Sequence, residues 1–249
     1  LLLEDLGDST YTTLLRQGHD ERALYELATD ALIEVRRRVP ATALDTLAVF
    51  DEARCLREAS LLLDWYWPAI KGANAPDSVR AEFEAAWRKT LPGMWQAGRT
   101  AALFDFHVDN LLVLPGRGGF QACGLLDFQD AVAGPVPFDL ASLLEDVRRH
   151  VPQDLANAMV ERYLKGNPDI KPADFRSAYA VSAAQRNTRI AGTFTRLLKR
   201  DSKPNYQRFM PRVWELLEQD IAHPAMAAVK HWFDQHLSPA ERRPVIDLK

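Results

Sequence analysis

Side chains suited to phosphate chemistry lie at two neighbouring places in the chain. Asp105 and Asn110 are the ends of the segment Asp-Phe-His-Val-Asp-Asn, and Asp127 follows the apolar pair Leu125 and Leu126. In phosphoryl transfer, one carboxylate orients the attacking hydroxyl, while an amide oxygen and a second carboxylate hold Mg²⁺ on the nucleotide phosphates. Magnesium prefers oxygen ligands and keeps several waters, so two protein ligands suffice. The pattern predicts Asp105 as the base and Asn110 and Asp127 as metal ligands.

A β-hairpin is expected to bring these groups together. Leu111–Leu114 and Phe120–Leu126 have the apolar character of strands, and the Pro- and Gly-rich residues 115–119 between them are a turn signal. Because a hairpin returns the chain close to its starting point, Asn110 and Asp127 should converge. The alternative is that these polar residues only cap strand ends and turns.

The remainder of the chain is predicted to be mainly helical. Apolar residues recur at three- and four-residue spacing, and Asp, Pro and Gly residues mark the boundaries, with Asp77 as a helix N-cap. The predicted helices are Asp20–Arg38, Asp51–Tyr66, Asp77–Thr90, Phe138–His150, Pro152–Lys165, Ala173–Lys199 and Tyr206–Leu237, the last broken or kinked at Pro211 and Pro224.

The composition is that of a globular protein with no electrostatic preference for nucleic acid. The 249 residues are 47% hydrophobic and 26% charged, with a formal net charge of −3. A core can therefore form, and no basic excess would attract nucleic acid or an acidic membrane. No apolar run approaches the roughly 18 residues of a membrane-spanning helix. Only Cys55 and Cys123 are present, which excludes a disulfide scaffold and favours reduced thiols in a cytoplasmic protein.

Several motifs resemble those of the aminoglycoside phosphotransferase and choline kinase group, which is related to the protein kinases. Residues 105–112 resemble the catalytic loop of that group, and residues 124–131 resemble its metal-binding strand. Residues 2–8 resemble the hinge strand against which adenine stacks. Within the group the chain looks most like the anomeric N-acetylmuramate and N-acetylglucosamine kinases, because of its Phe-Gln-Asp sequence at 128–130. Further matching segments are 138–146, 185–188 and 211–214.

The resemblance implies a fold and a domain organisation. The fold class is α+β, the protein-kinase-like large lobe, mainly helical with a catalytic β-hairpin. Residues 1–8 would form the hinge strand and residues 9–249 the helical C-terminal lobe, with the catalytic loop at 103–112 and the metal strand at 120–130. The family's small lobe should precede the hinge. It is therefore expected to be absent from this chain.

The resemblance also implies ligands and a reaction. ATP and Mg²⁺ would be the cofactors, with the adenine bound by the hinge backbone around Glu4 and Leu6. The acceptor would be the anomeric hydroxyl of an amino sugar of the cell-wall recycling type, phosphorylated in the cytoplasm. The candidate sugar contacts are His107, Gln129, Asp130 and Arg186, the last because a lactyl carboxylate would favour a bidentate guanidinium.

Other interpretations of single residues stay open. His107 could brace the loop instead of contacting sugar, and Gln129 and Asp130 could be solvated turn residues. Asp139 is expected to be a first-turn acid of its helix, with bracing of the catalytic loop as the alternative. Leu103 stands where many members of the group have a His that braces this loop, so the loop geometry is in question.

Other functions for the whole chain also stay open. A related kinase could act on an aminoglycoside, choline or homoserine. A pseudokinase would bind a nucleotide or a partner without catalysis, and a purely structural helical domain would do neither.

Overall fold

The computed structural model describes residues 4–242 and Ile246, and most of them are helical. The helices are α1 (Tyr11–Arg16), α2 (Glu21–Arg38), α3 (Ala41–Leu44), α4 (Glu52–Ala59), α5 (Trp67–Lys71), α6 (Asp77–Thr90), α7 (Phe138–Leu144), α8 (Gln153–Gly166), α9 (Pro172–Lys199), α10 (Met210–Ile221) and α11 (Ala227–His236). The strands are β1 (Ala48–Val49), β2 (Arg99–Ala102), β3 (Leu111–Val113), β4 (Cys123–Leu125) and β5 (Val132–Pro135).

The chain forms two compact units, and each is built from two separate segments. The first unit takes the described parts of residues 1–49 and 97–172, and the second takes those of 50–96 and 173–249. All the strands belong to the first unit. The second unit is helical, with Trp87, Trp214 and Trp232 among its fully buried side chains.

Two small sheets organise the first unit. In one, β5 pairs in parallel with β1 and antiparallel with β2. In the other, β3 and β4 form an antiparallel hairpin with Leu111 opposite Leu125. The hairpin is shorter than predicted because residues Gly119–Ala122 form a 3₁₀ turn. The amide of Leu114 donates to the carbonyl of Ala122 across 2.8 Å, which closes the shorter loop.

Helix α2 supports this unit along its length. Asp20 caps it by accepting from the amide of Ala23 at 3.2 Å. Arg162 on α8 makes two bonds to Asp30 on α2, of 2.7 and 2.8 Å. The apolar spacing of the sequence predicted this helix correctly, since one face is buried and the opposite face carries these charges.

Three predicted helices have different boundaries in the structure. The segment predicted over Asp51–Tyr66 divides into α4 and a π-helical turn at Leu62–Tyr66. Asp77 is the first residue of α6 and not its cap, a position held by Pro76. Helix α7 ends at Leu144, well before the predicted His150, because the Asp146 side chain accepts from the amide of Arg148 at 3.0 Å and favours a turn.

The two prolines predicted to interrupt the last helix have different effects. Pro211 lies in the first turn of α10, where a missing amide hydrogen costs nothing. Pro224 begins a 3₁₀ turn that separates α10 from α11. The start of the predicted hinge strand, residues 1–3, lies outside the described residues. Residues 4–9 form no strand, and the first β-bridge joins Thr10 to Leu112.

Candidate active site

The hairpin brings Asn110 and Asp127 to the same end of the paired strands. Asn110 immediately precedes β3, and Asp127 comes two residues after β4. The amide of Leu126 donates to the carbonyl of Asn110 across 2.9 Å, which extends the pairing by one step. The convergence expected from the sequence is therefore present in the structure.

The side chain of Asn110 is tied to the loop that contains Asp105. Its Nδ2 donates to the carbonyl of Asp105 at 3.0 Å and lies 3.4 Å from Nε2 of His107. Residues Val108–Asn110 form a 3₁₀ turn, in which the amide of Asn110 bonds to the carbonyl of His107. Both Nδ2 contacts point into the loop. The amide oxygen Oδ1 is therefore the atom that can serve as a ligand.

Two residues of the candidate site have a left-handed backbone. Phe104, which precedes Asp105, has φ of 77°, and Asp127 has φ of 58°. Such conformations cost about 1–3 kcal/mol for residues with a side chain, and they concentrate at functional sites. Phe104 is held by stacking on Phe138, with ring centroids 5.1 Å apart. The surrounding packing maintains the strained geometry next to Asp105.

Asp139 braces the start of the loop. Its two carboxylate oxygens accept from the amides of Leu103 at 2.6 Å and Phe104 at 3.0 Å. The side chain is buried, and this burial raises its pKa to about 7. Asp139 lies in the first turn of α7, as expected, and its carboxylate also braces the loop, which is the alternative interpretation. The loop is anchored through the main chain at Leu103, where the side chain offers no polar group.

His107 and Asp109 connect the loop to neighbouring elements. Burial lowers the pKa of His107, whose Nδ1 has no hydrogen-bond partner among the described residues. Asp109 accepts a hydrogen bond from Thr12 on α1 and lies 3.8 Å from Nε of Arg148. Arg148 in turn contacts Asp146, with Nη1 3.2 Å from Oδ1. These contacts fix the far side of the loop.

The residues after the hairpin are exposed. Gln129 donates from Nε2 to Oδ1 of Asp127 at 2.8 Å, which orients the carboxylate of the predicted metal ligand. Asp130 lies in the same exposed turn. Gln129 is thus beside the predicted metal position. For Asp130, the position in this turn is the one observation that favours a contact with substrate.

The remaining predicted residues lie in other surroundings. Glu4 is exposed and pairs with Arg117 at the tip of the hairpin, and Leu6 is half-buried. Arg186 lies on α9 in the second unit, is 6% exposed, and donates to Oδ1 of Asn187 at 3.4 Å.

The donor set at the hairpin end fits magnesium. Asn110 contributes an amide oxygen and Asp127 a carboxylate, and these hard oxygen ligands are the kind that Mg²⁺ prefers. Within residues 4–242 and Ile246, no cluster of three or more His, Cys, Asp or Glu side chains has the arrangement of a metal site. A cation here would therefore take most of its ligands from water and phosphate.

Comparison with known proteins identifies the family. Residues 1–180 match the model of the phosphotransferase enzyme family. That match covers well over half of the chain, and the chain belongs to this family. The prediction of a small-molecule phosphotransferase related to aminoglycoside phosphotransferases and choline kinases is confirmed at this level.

Two curated relatives that share one name are each about one third identical to this chain. The chain is 35% identical to an N-acetylmuramate/N-acetylglucosamine kinase of Caulobacter vibrioides, over 97% of this chain and 68% of the relative. It is 31% identical to a protein of the same name from Pseudomonas aeruginosa, over 89% of this chain and 65% of the relative. The chain spans about two thirds of the length of the curated relatives it matches.

Solved structures share the fold. A choline/ethanolamine kinase family protein from Mesorhizobium loti has a TM-score of 0.56 at 11% identity, covering 90% of this chain and 70% of that one. An aminoglycoside 2'-phosphotransferase-IIIa in its GDP complex has a TM-score of 0.52 at 17% identity, covering 82% and 64%. The predicted kinase-like, mainly helical fold is thereby confirmed. Among the described residues, no helix has both the length and the apolar character needed to cross a bilayer.

Proposed function

We propose that this chain carries the catalytic centre of a sugar kinase that moves the γ-phosphoryl group of ATP to N-acetylmuramate or N-acetylglucosamine. The observation that carries the proposal is the joint placement of Asp105, Asn110 and Asp127 at one end of the hairpin. The sugar comes from the names of the relatives that are 31–35% identical to this chain.

Asp105 would act on the acceptor hydroxyl. The hydroxyl oxygen forms a bond to the γ-phosphorus, the bond to the β–γ bridging oxygen breaks, ADP leaves, and Asp105 accepts the hydroxyl proton. An anomeric hydroxyl is more acidic than an ordinary alcohol, so orientation by Asp105 can suffice without a strong base. The Asp139 brace on Leu103 and Phe104 supports this role because it fixes the backbone that leads into Asp105.

Asn110 and Asp127 would hold the metal. Bound Mg²⁺ neutralises charge on the nucleotide phosphates during transfer. Asn110 would offer Oδ1, since its Nδ2 is engaged in the loop, and Asp127 would offer the carboxylate that Gln129 orients. The adenine would lie against the backbone around Glu4 and Leu6.

The test uses the full natural chain with ATP, Mg²⁺ and a panel of acceptors. The panel contains N-acetylmuramate, N-acetylglucosamine, an aminoglycoside and choline, and ADP release is followed. We expect turnover on the N-acetyl sugars and a loss of at least about 100-fold in Asp105→Asn, the scale of a positioned acid–base group. Phosphorylation at the anomeric position also removes the reducing end, so a reducing-sugar assay should decline in step with ADP release.

Each other outcome has a defined meaning. Turnover only on choline or the aminoglycoside would keep the roles of Asp105, Asn110 and Asp127 and discard the sugar. If ADP is released while the reducing end of the sugar stays intact, the kinase activity stands and only the assignment of the anomeric hydroxyl as acceptor is rejected. Full activity in Asp105→Asn would overturn the proposed mechanism.

A further inference from the structure

Two buried polar atoms beside the catalytic loop lack a hydrogen-bond partner among the described residues. One is Nδ1 of His107, and the other is Oδ2 of Asp146, whose side chain is 0% exposed. Buried polar atoms in folded proteins almost always have a partner, either protein or ordered water. Arg148 connects their surroundings, because its Nη1 lies 3.2 Å from Oδ1 of Asp146 and its Nε lies 3.8 Å from Oδ2 of Asp109, two residues after His107.

The other ring nitrogen of His107 determines where the proton lies. Nε2 is 3.4 Å from Nδ2 of Asn110, and an amide nitrogen can only donate. Nε2 must therefore accept, which leaves a neutral ring with its proton on Nδ1. The unpaired Nδ1 is a donor and the unpaired oxygen of Asp146 is an acceptor. Each atom lacks what the other supplies.

We propose that Asp146 and His107 are positioning residues for Asn110. Asp146 Oδ2 takes the hydrogen of His107 Nδ1, directly or through one buried water, and this keeps Nε2 as the acceptor for Asn110. The other Nδ2 hydrogen of Asn110 is committed to the carbonyl of Asp105 at 3.0 Å. Because both Nδ2 hydrogens of Asn110 are then donated within the loop, Oδ1 is the atom left to bind a metal ion. The inference rests on the proposed function, in which Asn110 holds Mg²⁺.

Asp146 is well fixed for this task. Its Oδ1 accepts from the main-chain amide of Arg148 at 3.0 Å and from Nη1 of the same residue at 3.2 Å. These bonds use one carboxylate oxygen and leave the second for another donor. Residues that hydrogen-bond to metal ligands commonly change metal affinity by about 10–100-fold when they are replaced.

The experiment measures Mn²⁺ binding to the ADP complex of the full natural chain by electron paramagnetic resonance. We expect Asp146→Asn and His107→Leu each to weaken Mn²⁺ binding by about 10-fold, and the double variant to be no weaker than either. In His107→Gln, the amide oxygen can take the place of Nε2 as an acceptor for Asn110. This variant should keep most of the affinity and should not respond to a second Asp146→Asn change.

Asp30→Asn is the matched control, because Asp30 is a carboxylate of the same unit whose partner is Arg162. It should leave Mn²⁺ affinity unchanged. Nitrogen-15 spectra of the parent protein supply a readout that does not depend on folding of any variant. They should show His107 as the Nδ1–H tautomer, assigned by the signals that His107→Gln removes.

An Nε2–H tautomer, additive effects of the two single changes, or unchanged Mn²⁺ affinity in Asp146→Asn would each overturn the inference. Absence of any ADP-dependent Mn²⁺ binding would overturn the metal role of Asn110 and this inference with it. Intact Mn²⁺ binding with no turnover on any acceptor would overturn only the proposed function.

Discussion

At Asp139, burial and hydrogen bonding have opposite effects on the pKa of one carboxyl group. Burial disfavours the carboxylate, whereas the two amide hydrogens of Leu103 and Phe104 favour it. Burial has the larger effect, and it raises the pKa of Asp139 from 3.8 to about 7. The loop that carries Asp105 is therefore braced by a group that changes charge near neutral pH.

The raised pKa predicts how stability depends on pH. Between pH 4 and 7 the native state holds the Asp139 proton more tightly than the unfolded chain, so this contribution to stability declines as pH rises. The full effect can reach about 4 kcal/mol. In Asp139→Asn this decline should disappear. Urea unfolding of both proteins at pH 5 and pH 8 measures it, with the parent losing more stability than the variant.

Asp154→Asn is the control for this prediction. Asp154 is an exposed acid in the first turn of α8, so its removal should leave the pH dependence of the parent in place. If the free energy of unfolding changes equally with pH in the parent and in Asp139→Asn, then Asp139 is ionised without cost in the native state.

The sequence indicates some residues of the candidate site and not others. Asp105, Asn110 and Asp127 could be selected because their spacing around a hairpin is short and characteristic. The brace at Asp139 was only an alternative, since its targets are main-chain amides 35 and 36 positions away. The role proposed for Asp146 could not be found, because the position of this residue depends on where α7 ends.

At the scale of elements, periodicity predicted long helices and missed short strands. Helices α2, α6 and α9 have enough turns for an apolar stripe to be recognised. Strands β1, β2 and β5 have two to four residues each and consist largely of Ala, Val, Gly and Pro, so no alternation is visible. Their pairing partners are distant in the chain, and only the folded structure shows that β5 lies between the other two.

Gly192 lies where α9 closely approaches the π-helical turn in the second unit. This close approach predicts that a larger residue at position 192 is poorly tolerated. A Cβ at this position would lie 2.2 Å from the carbonyl carbon of Leu61 and 2.4 Å from its oxygen, beside the π-helical turn. An alanine in a helix is otherwise favoured over glycine by about 1 kcal/mol. Because backbone atoms cannot move aside easily, Gly192→Ala should instead destabilise the protein by about 1–3 kcal/mol, measured by urea unfolding.

Gly93→Ala is the matched control in the same unit. The nearest atom to its added Cβ would be Cγ2 of Val181 at 3.6 Å, an ordinary van der Waals contact. Its effect should be small. A stabilised Gly192→Ala protein would show that α9 can move away from the π-helical turn without loss.

At the scale of the whole molecule, the candidate catalytic residues belong to a unit whose second segment ends only at residue 172. Asp105, Asn110, Asp127 and Asp139 all belong to the first unit, which also needs α2 from the beginning of the chain and α8 from residues 153–166. Residues 50–96, which form part of the second unit, intervene between the two segments. The first unit therefore depends on the packing of α2 against α8, and both helices are far in the sequence from the motifs that identify the site.

Binding of nucleotide and metal should be visible in the stability of the whole protein. A ligand at 100 times its Kd adds about 2.7 kcal/mol to the native state, which corresponds to roughly 5–10 °C in Tm for a chain of this size. If Asn110 and Asp127 hold Mg²⁺ on the phosphates, ADP with Mg²⁺ should raise the Tm of the full natural chain by more than the sum of their separate effects. Asp127→Asn should abolish this excess and keep the shift caused by ADP alone, whereas the exposed control Asp45→Asn should keep both. An excess that survives in Asp127→Asn and in Asn110→Ala would show that the metal is held by other residues, because neither proposed ligand would then be needed for the coupling.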